Sequence, residues 1–261
     1  MSSLLYFIII LLTAIIGYLL RFLTVSGSIA ACVVGILTLL GVHSKGLFLL
    51  GVFFATSSFW SHYKRLQKNE VEERLAKGSQ RDWLQVVANG GGASIASVLY
   101  FFYPDPLWLF LFCVCIASSN SDTWASEIGT LSTKSPISIR TFSIAQKGTS
   151  GAISLLGTIA GATGALLIAA LSFFLFHFSY LLAFLVFIFG FLGNIVDTVF
   201  GAFFQATYKC RICHLETEKT VHCGSEAERI RGFAFLNNDM VNLFSSVQAA
   251  LMGAIAFLWL I

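Results

Sequence analysis

Three carboxylates stand where this chain is otherwise apolar. Asp122 and Glu127 lie in Ser119-Asn-Ser-Asp-Thr-Trp-Ala-Ser-Glu-Ile-Gly129, directly after the apolar run 107–117, and Asp197 lies in Gly193-Asn-Ile-Val-Asp-Thr-Val-Phe-Gly201. A charge at membrane depth costs about 2.5–3.5 kcal/mol on insertion scales, so such residues mark an ion, proton, metal or substrate site facing a polar cavity. On a helix Asp122 shares a face with Ser126 and Thr123 with Glu127, while Asn194 and Asp197, at i,i+3, can face one cavity. Asp197-Thr198 echoes Asp122-Thr123, which suggests one composite site. Hard cations such as Mg²⁺ take one or two carboxylates together with substrate phosphate oxygens. Asp122 with Glu127 or Asp197 can make such a set, so all three are candidates for catalysis and for Mg²⁺. The plain alternative is a structural polar network between helices.

Four further clusters carry chemistry. Lys147-Gly148-Thr149-Ser150-Gly151 precedes an apolar run, and the spacing predicts free backbone N–H groups at a helix N-terminus, an anion site to which Lys147 adds charge. The spacing is not that of a Walker A loop. In Gly78-Ser-Gln-Arg-Asp-Trp83, Arg81 can clamp a phosphate by two parallel hydrogen bonds. Asn89 opens Asn89-Gly-Gly-Gly92, and Trp83 reads as an interfacial anchor. Asn237-Asn238-Asp239, with Asn242, opens the last apolar run. Asn238 there caps a helix, or Asp239 with Asn242, or Asn238 with Asn242, binds a cation or nucleotide, with Asn238 and Asp239 completing the site. Cys210-x-x-Cys213-His214 followed by His222-Cys223 places three thiols and two imidazoles in fourteen residues. That suits a closed, structural tetrahedral Zn²⁺ on Cys210, Cys213 and Cys223, with His222 or His214 as fourth ligand. Unmetallated cysteines are the alternative.

The elements that must hold these residues are membrane helices. Of 261 residues, 57% are hydrophobic and 11% charged, against about 25% charged in ordinary soluble domains. The mean hydropathy is +0.82. We read an all-α, polytopic single membrane domain over 1–261, with eight spans at about 4–20, 28–42, 46–61, 84–102, 107–121, 149–175, 180–205 and 239–260. The first span has no basic segment before it and reads as retained, not as a cleaved signal. The fifth and seventh are expected to be broken, because their polar C-terminal halves cannot face lipid. Gly157-x-x-x-Gly161 in the sixth is a close-packing motif. Fifteen of the sixteen Lys and Arg residues follow odd-numbered spans, Lys45 excepted. The positive-inside rule then puts the basic loop 62–83, the segment 130–148 and the Cys/His loop 206–238 in the cytosol, and both termini outside. Within the basic loop, 64–77 reads mostly as a solvated face. Cys32, Cys113 and Cys115 read as packing residues.

Several of these segments carry a resemblance. Ser58-Phe-Trp-Ser-His-Tyr-Lys64, Ala76-Lys-Gly-Ser-Gln-Arg-Asp-Trp-Leu-Gln-Val-Val-Ala-Asn-Gly90, Ser121-Asp-Thr-Trp-Ala-Ser-Glu-Ile-Gly129, Lys147-Gly-Thr-Ser-Gly151 and Asn237-Asn-Asp239 resemble the integral membrane family typified by transmembrane protein 19, also called domain-of-unknown-function family 92. That family includes the plant phytyl-phosphate kinase and is distantly similar to phytol kinase, dolichol kinase and membrane cytidylyltransferases. The resemblance implies phosphoryl transfer from a nucleoside triphosphate, CTP foremost, to an isoprenoid alcohol or phosphate. Its partners would be a membrane lipid and a nucleotide, with no nucleic acid. An ion-coupled transporter or lipid scramblase is the alternative, since intramembrane carboxylates and broken helices also mark transport. A third is a non-catalytic assembly factor whose Cys/His loop docks a soluble partner.

Overall fold

A computed structural model describes residues 3–260. Helices α1 (Ser3–Leu19) and α2 (Val25–His62) are followed by a 3₁₀ turn (Arg65–Lys68) and the short α3 (Asn69–Arg74). Then come α4 (Trp83–Phe102), α5 (Pro106–Gly129), α6 (Leu155–Phe176), α7 (Tyr180–Phe203) and α8 (Asn238–Leu260). Among the described residues five helices, α2, α4, α6, α7 and α8, are long and apolar enough to cross a membrane. Their outer faces carry exposed Ile29, Phe174 and Leu258. Apolar exposure on this scale, over whole helix faces, suits a hydrocarbon solvent. Eight crossings are a finer statement than these five helices and remain an expectation.

One helix sits in the middle. Residues 110–117 of α5 are apolar on all sides and buried, as such a segment must be, and the polar residues 118–121 that follow are buried with them. Asp105 caps its first turn by accepting from Leu107 N–H at 2.8 Å, and Pro106 occupies the position where a missing N–H costs nothing. Phe110, Phe112 and Ile116 pack with Ile168 of α6, Val186 of α7 and Phe257 of α8. The Phe110 and Phe257 rings lie 5.5 Å apart. On the α6 side, glycines bring the backbones together. A Cβ on Gly164 would lie 3.1 Å from the Asn120 carbonyl oxygen, and one on Gly157 would lie 2.9 Å from that of Ala125. This is the small-residue contact expected of Gly157-x-x-x-Gly161.

Helix α2 is a hairpin. His43 has φ 58° and ψ −153°, outside the helical region. Ala31 and Phe54 line the same small pocket, although 23 residues of straight helix would hold them about 35 Å apart. The chain therefore folds back at His43, and its halves, 25–42 and 44–62, coincide with the second and third apolar segments of the sequence. His43 alone joins them, less chain than the three residues left between the spans read at 28–42 and 46–61.

Two other expectations are corrected. Helices α5 and α7 are not broken, since each runs as one helix through its polar half. The polar groups face neighbouring helices instead of lipid. Asn120 Nδ2 donates to Gly164 O at 2.8 Å and Ser121 Oγ to Gly161 O at 2.8 Å, both in α6, and Asp197 of α7 accepts from Ser245 Oγ of α8 at 3.2 Å. Helix α6 starts at Leu155 instead of 149, with the Ser154 hydroxyl accepting from Gly157 N–H at 3.1 Å. Before it, β1 (Ile137–Ser138) pairs antiparallel with β2 (Ala152–Ile153). Gly148 and Gly151 turn with φ of 79° and 77°, a conformation that glycine adopts at no steric cost.

The connection between α7 and α8 is built from strands that the sequence reading did not foresee. In it β3 (Thr207–Lys209) pairs with both β4 (Glu216–Thr217) and β7 (Glu228–Arg231), in the order β4-β3-β7, and β5 (Val221–His222) pairs with β6 (Ser225–Glu226). All pairings are antiparallel.

Candidate functional site

One end of the bundle holds a polar cavity of about 330 Å³. It is walled by the C-terminal ends of α5 and α7, the N-terminal ends of α4, α6 and α8, and the loops between them. Every residue singled out for catalysis or phosphate binding lines it. Asp122, Glu127 and Asp197 are there, as are Arg81, Asn89, Lys147, Gly148, Thr149, Ser150, Gly151, Asn194, Asn238 and Asp239. The grouping follows from chain direction: the helix ends that share one side of the bundle carry the polar clusters.

Within the cavity the charges sort themselves. The carboxyl groups of Asp122 and Asp197 interact directly across α5 and α7. Ser245 Oγ donates to Asp197 Oδ2 at 3.2 Å. The Asn242 amide, turned to suit its neighbours, donates to Asp197 Oδ2 at 2.9 Å and to Asn238 O at 3.1 Å. A cation held between them would relieve the repulsion of two carboxylates that act on each other. Glu127 lies near enough for its charge to act on Asp122, and it carries a cation of its own. Its carboxylate meets Lys68 Nζ at 2.6 Å, and Lys68 also donates to Trp60 O at 2.6 Å. Asp239 is held by Lys77 Nζ at 2.5 Å, and Lys77 also pairs with Asp82 at 2.7 Å. Burial acts to lower the Lys77 ammonium, but its bonds to Asp239 and Asp82 outweigh that and raise it above its usual value. Among the described residues, Lys147 has no ion-pair partner.

Arg81 is fixed from both ends. Its backbone N–H donates to Phe22 O at 2.9 Å and its carbonyl accepts from Thr24 N–H at 2.9 Å. Its guanidinium donates to Ser58 Oγ at 3.0 Å and Ser61 Oγ at 3.3 Å, both in the second half of α2. Burial pulls the guanidinium below its usual value, opposed by the charge of Glu127. It stays a cation with further N–H donors to spend.

Several expectations change at the level of single groups. The 147–151 segment is a glycine turn on the cavity wall and not the first turn of α6, whose N-terminus is capped by Ser154. Asn237, not Asn238, caps α8, its side-chain oxygen accepting from Met240 N–H at 3.0 Å. Residues 64–67, Glu73 and Ala76 are exposed as expected, but Lys68 is buried and Lys77 reaches the cavity. Lys68, Lys77 and Glu218 were missed as site residues, whereas Asn242, read beside Asn238 and Asp239, does line the cavity. Glu218 accepts from Gln205 Nε2 at 2.7 Å, Ser150 Oγ at 3.0 Å and Ala76 N–H at 3.3 Å. Burial raises its carboxyl above the usual range, against these hydrogen bonds. Lysines and glutamates in hydrophilic loops look ordinary, so no local signal marks the ones that fold inward.

A second, apolar pocket of about 130 Å³ adjoins the cavity, among α1, both halves of α2, and α4. Ile10, Val34 and Phe53 are among its walls. Arg81, Gln85 and Asn89 line both spaces.

Outside the cavity, Cys210, Cys213, His222 and Cys223 place one ligand atom each within 4.8 Å of all the others. His214 is not in the group, which leaves His222 as the imidazole. Its Nδ1 lies 3.4 Å from Cys213 Sγ and 3.3 Å from Cys223 Sγ.

Long apolar helices enclosing a polar, carboxylate-rich cavity at one end define an integral membrane protein with a site at one end of its bundle. The chain belongs to the family Integral membrane protein DUF92, which matches residues 8–250. It is 28% identical to Protein PGR of Arabidopsis thaliana over 95% of this chain and 94% of that protein. It is 28% identical to an uncharacterized membrane protein of Methanocaldococcus jannaschii over 91% of this chain and 87% of that one. Protein VTE6, chloroplastic, of Arabidopsis thaliana is 26% identical over 88% of this chain and 65% of its own length. No solved structure matches.

Proposed function

We propose that this protein transfers a phosphoryl group from a nucleoside triphosphate, with CTP the first donor to test, to an isoprenoid alcohol or isoprenoid phosphate at the cytosolic face of the membrane. The observation that carries this reading is the junction of the two spaces. A polar cavity and an apolar pocket that share Arg81, Gln85 and Asn89 suit a ligand with a charged head and a hydrocarbon tail. Similarity to Protein VTE6 supports the same reading.

The acceptor oxygen attacks the terminal phosphorus of the nucleotide, the bond from that phosphorus to the bridging oxygen breaks, and the nucleoside diphosphate leaves. With a phosphate acceptor the product is a lipid diphosphate. With an alcohol it is a monophosphate, and the hydroxyl proton passes to the Asp122–Asp197 pair. Such transfer depends on positioning and on positive charge around the phosphates. Lys147 and Arg81 supply charge, and the 147–151 turn supplies small residues that let phosphate approach the backbone. A hard divalent cation fits the paired oxygens of Asp122 and Asp197, with substrate phosphate completing its shell. Such an ion would neutralise charge on the transferring group. Glu127, engaged by Lys68, instead holds the 3₁₀ turn against α5. The uninterrupted α5 and α7 lack the unwound segments on which transport sites are built.

The test is incubation of the detergent-purified protein and Mg²⁺ with radiolabelled CTP, ATP, GTP or UTP and a panel of isoprenoid alcohols and monophosphates. Label enters a lipid product with wild type and falls at least 100-fold with Asp122→Asn, whose melting profile stays close to wild type. An active Asp122→Asn protein, or a folded wild type that transfers label from none of the four nucleotides, overturns the reading.

A further inference from the structure

We propose that Cys210, Cys213, His222 and Cys223 bind one Zn²⁺, and that this ion holds the α7–α8 connection in the shape that inserts Glu218 into the cavity wall. The four ligand atoms are already gathered. Zinc bonded to sulfur at about 2.3 Å and nitrogen at about 2.0–2.1 Å in a tetrahedron implies ligand-to-ligand edges of roughly 3.5–3.8 Å. The His222 edges of 3.4 and 3.3 Å need only a small expansion.

The surroundings are those of a ligand set. Ile212 N–H donates to Cys210 Sγ at 3.4 Å. His222 offers Nδ1 to the thiols, and its Nε2 faces Glu73 Oε1 at 3.7 Å. A carboxylate on the second imidazole nitrogen fixes the tautomer and ring orientation of a zinc-bound histidine. Positive φ at His214, Cys223 and Gly224 turns the chain sharply beside the ligands. With four protein ligands the site has no open position, so the ion's role is structural.

The connection needs such a clamp. Its strands are two to four residues long, and exposed Ile212, Val221 and Ile230 leave little core beneath them. Small lobes of this kind fold with their metal and loosen without it.

What the clamp positions lies between the two ligand pairs. Thr217 Oγ1 and Glu218 N–H both donate to Arg74 O, at 2.7 and 2.8 Å. From there Glu218 ties Ala76, Ser150 and Gln205 together, three separate segments of the cavity rim. Zinc loss should therefore be felt at the 147–151 turn and at 74–78, although neither touches the ion. This holds whether or not the cavity is a kinase site.

The test uses the full-length protein in detergent. Metal analysis should find about one zinc per chain in wild type and at least tenfold less in Cys223→Ser. Hydrogen exchange on wild type, with and without removal of zinc by a strong chelator, should show faster exchange at 206–231, 147–151 and 74–78 in the stripped protein, reversed on adding zinc. Glu218→Gln should keep its zinc and loosen 147–151 and the segment around Ala76, while exchange at the zinc ligands stays as in wild type. Wild type purified from zinc-supplemented cells without bound metal overturns the site. Bound zinc whose removal leaves 147–151 unchanged overturns the link to the cavity. Neither outcome depends on finding a substrate.

Discussion

Lys68 shows how a buried ion pair constrains the site. Its ammonium is 4% exposed and its partner Glu127 is 25% exposed. Removing one member of a buried pair strands the other charge and costs about 3–5 kcal/mol. With Glu127 partly open to solvent, Lys68→Met should cost about 2–3 kcal/mol, read from denaturant unfolding in detergent. Adding Glu127→Gln to Lys68→Met should recover part of that loss, and a double variant worse than the sum of the singles would refute the pairing. The residues legible in the sequence are those whose chemistry is out of place locally. Asp122 and Asp197 stand out because a carboxylate interrupting an apolar run needs a partner. Lys68, Lys77 and Glu218 stand out nowhere, because the contacts that make them special join positions 59, 162 and 68 residues apart.

At the scale of elements, glycine spacing decides how close α5, α6 and α7 lie. A Cβ on Gly161 would come within 2.7 Å of Asn194 Nδ2 and 3.2 Å of Ala125 Cβ. Gly161→Ala should therefore cost about 1–3 kcal/mol by overpacking, with part returned because alanine favours helix over glycine by about 1 kcal/mol. Turnover should fall further than stability does, since Asn194 and Asp197 share one turn of α7. Gly91→Ala is the contrast. Its Cβ would meet only Val87 Cγ1, at 3.4 Å, so it should be neutral or mildly stabilising in the same melting experiment. Helix starts were less legible than helix faces. The sequence reading ran α6 back to 149 because the glycines looked continuous with the apolar run. Positive φ at Gly148 and Gly151 and the β1–β2 pairing end that continuity.

At the scale of the whole molecule, the charge pattern and the cavity make one statement. Basic residues gather on the connections that follow odd-numbered apolar segments, and the cavity opens among those same connections. If that side is cytosolic, single cysteines placed at 134 and 219 should resist a membrane-impermeant thiol reagent added outside intact cells, and one placed at 104 should react. This comparison is best made in a background whose native exposed thiols, Cys213 and Cys223, have been shown to be silent. The reverse pattern would place the cavity outside and remove the cytosolic nucleotide pool from the proposal. The bundle's one-sided polarity was readable from sequence because direction alternates with each apolar segment. The strand-built α7–α8 connection was not, since its short strands pair without a long alternating pattern.

The fold at His43 bears on how the chain is made. With a single non-helical residue between two apolar halves, no soluble segment separates them during synthesis. The two halves are expected to enter lipid together, as one paired unit. Ser58 and Ser61, which hold Arg81, ride on the trailing half, so the seat for that arginine is laid down before Arg81 itself has been translated.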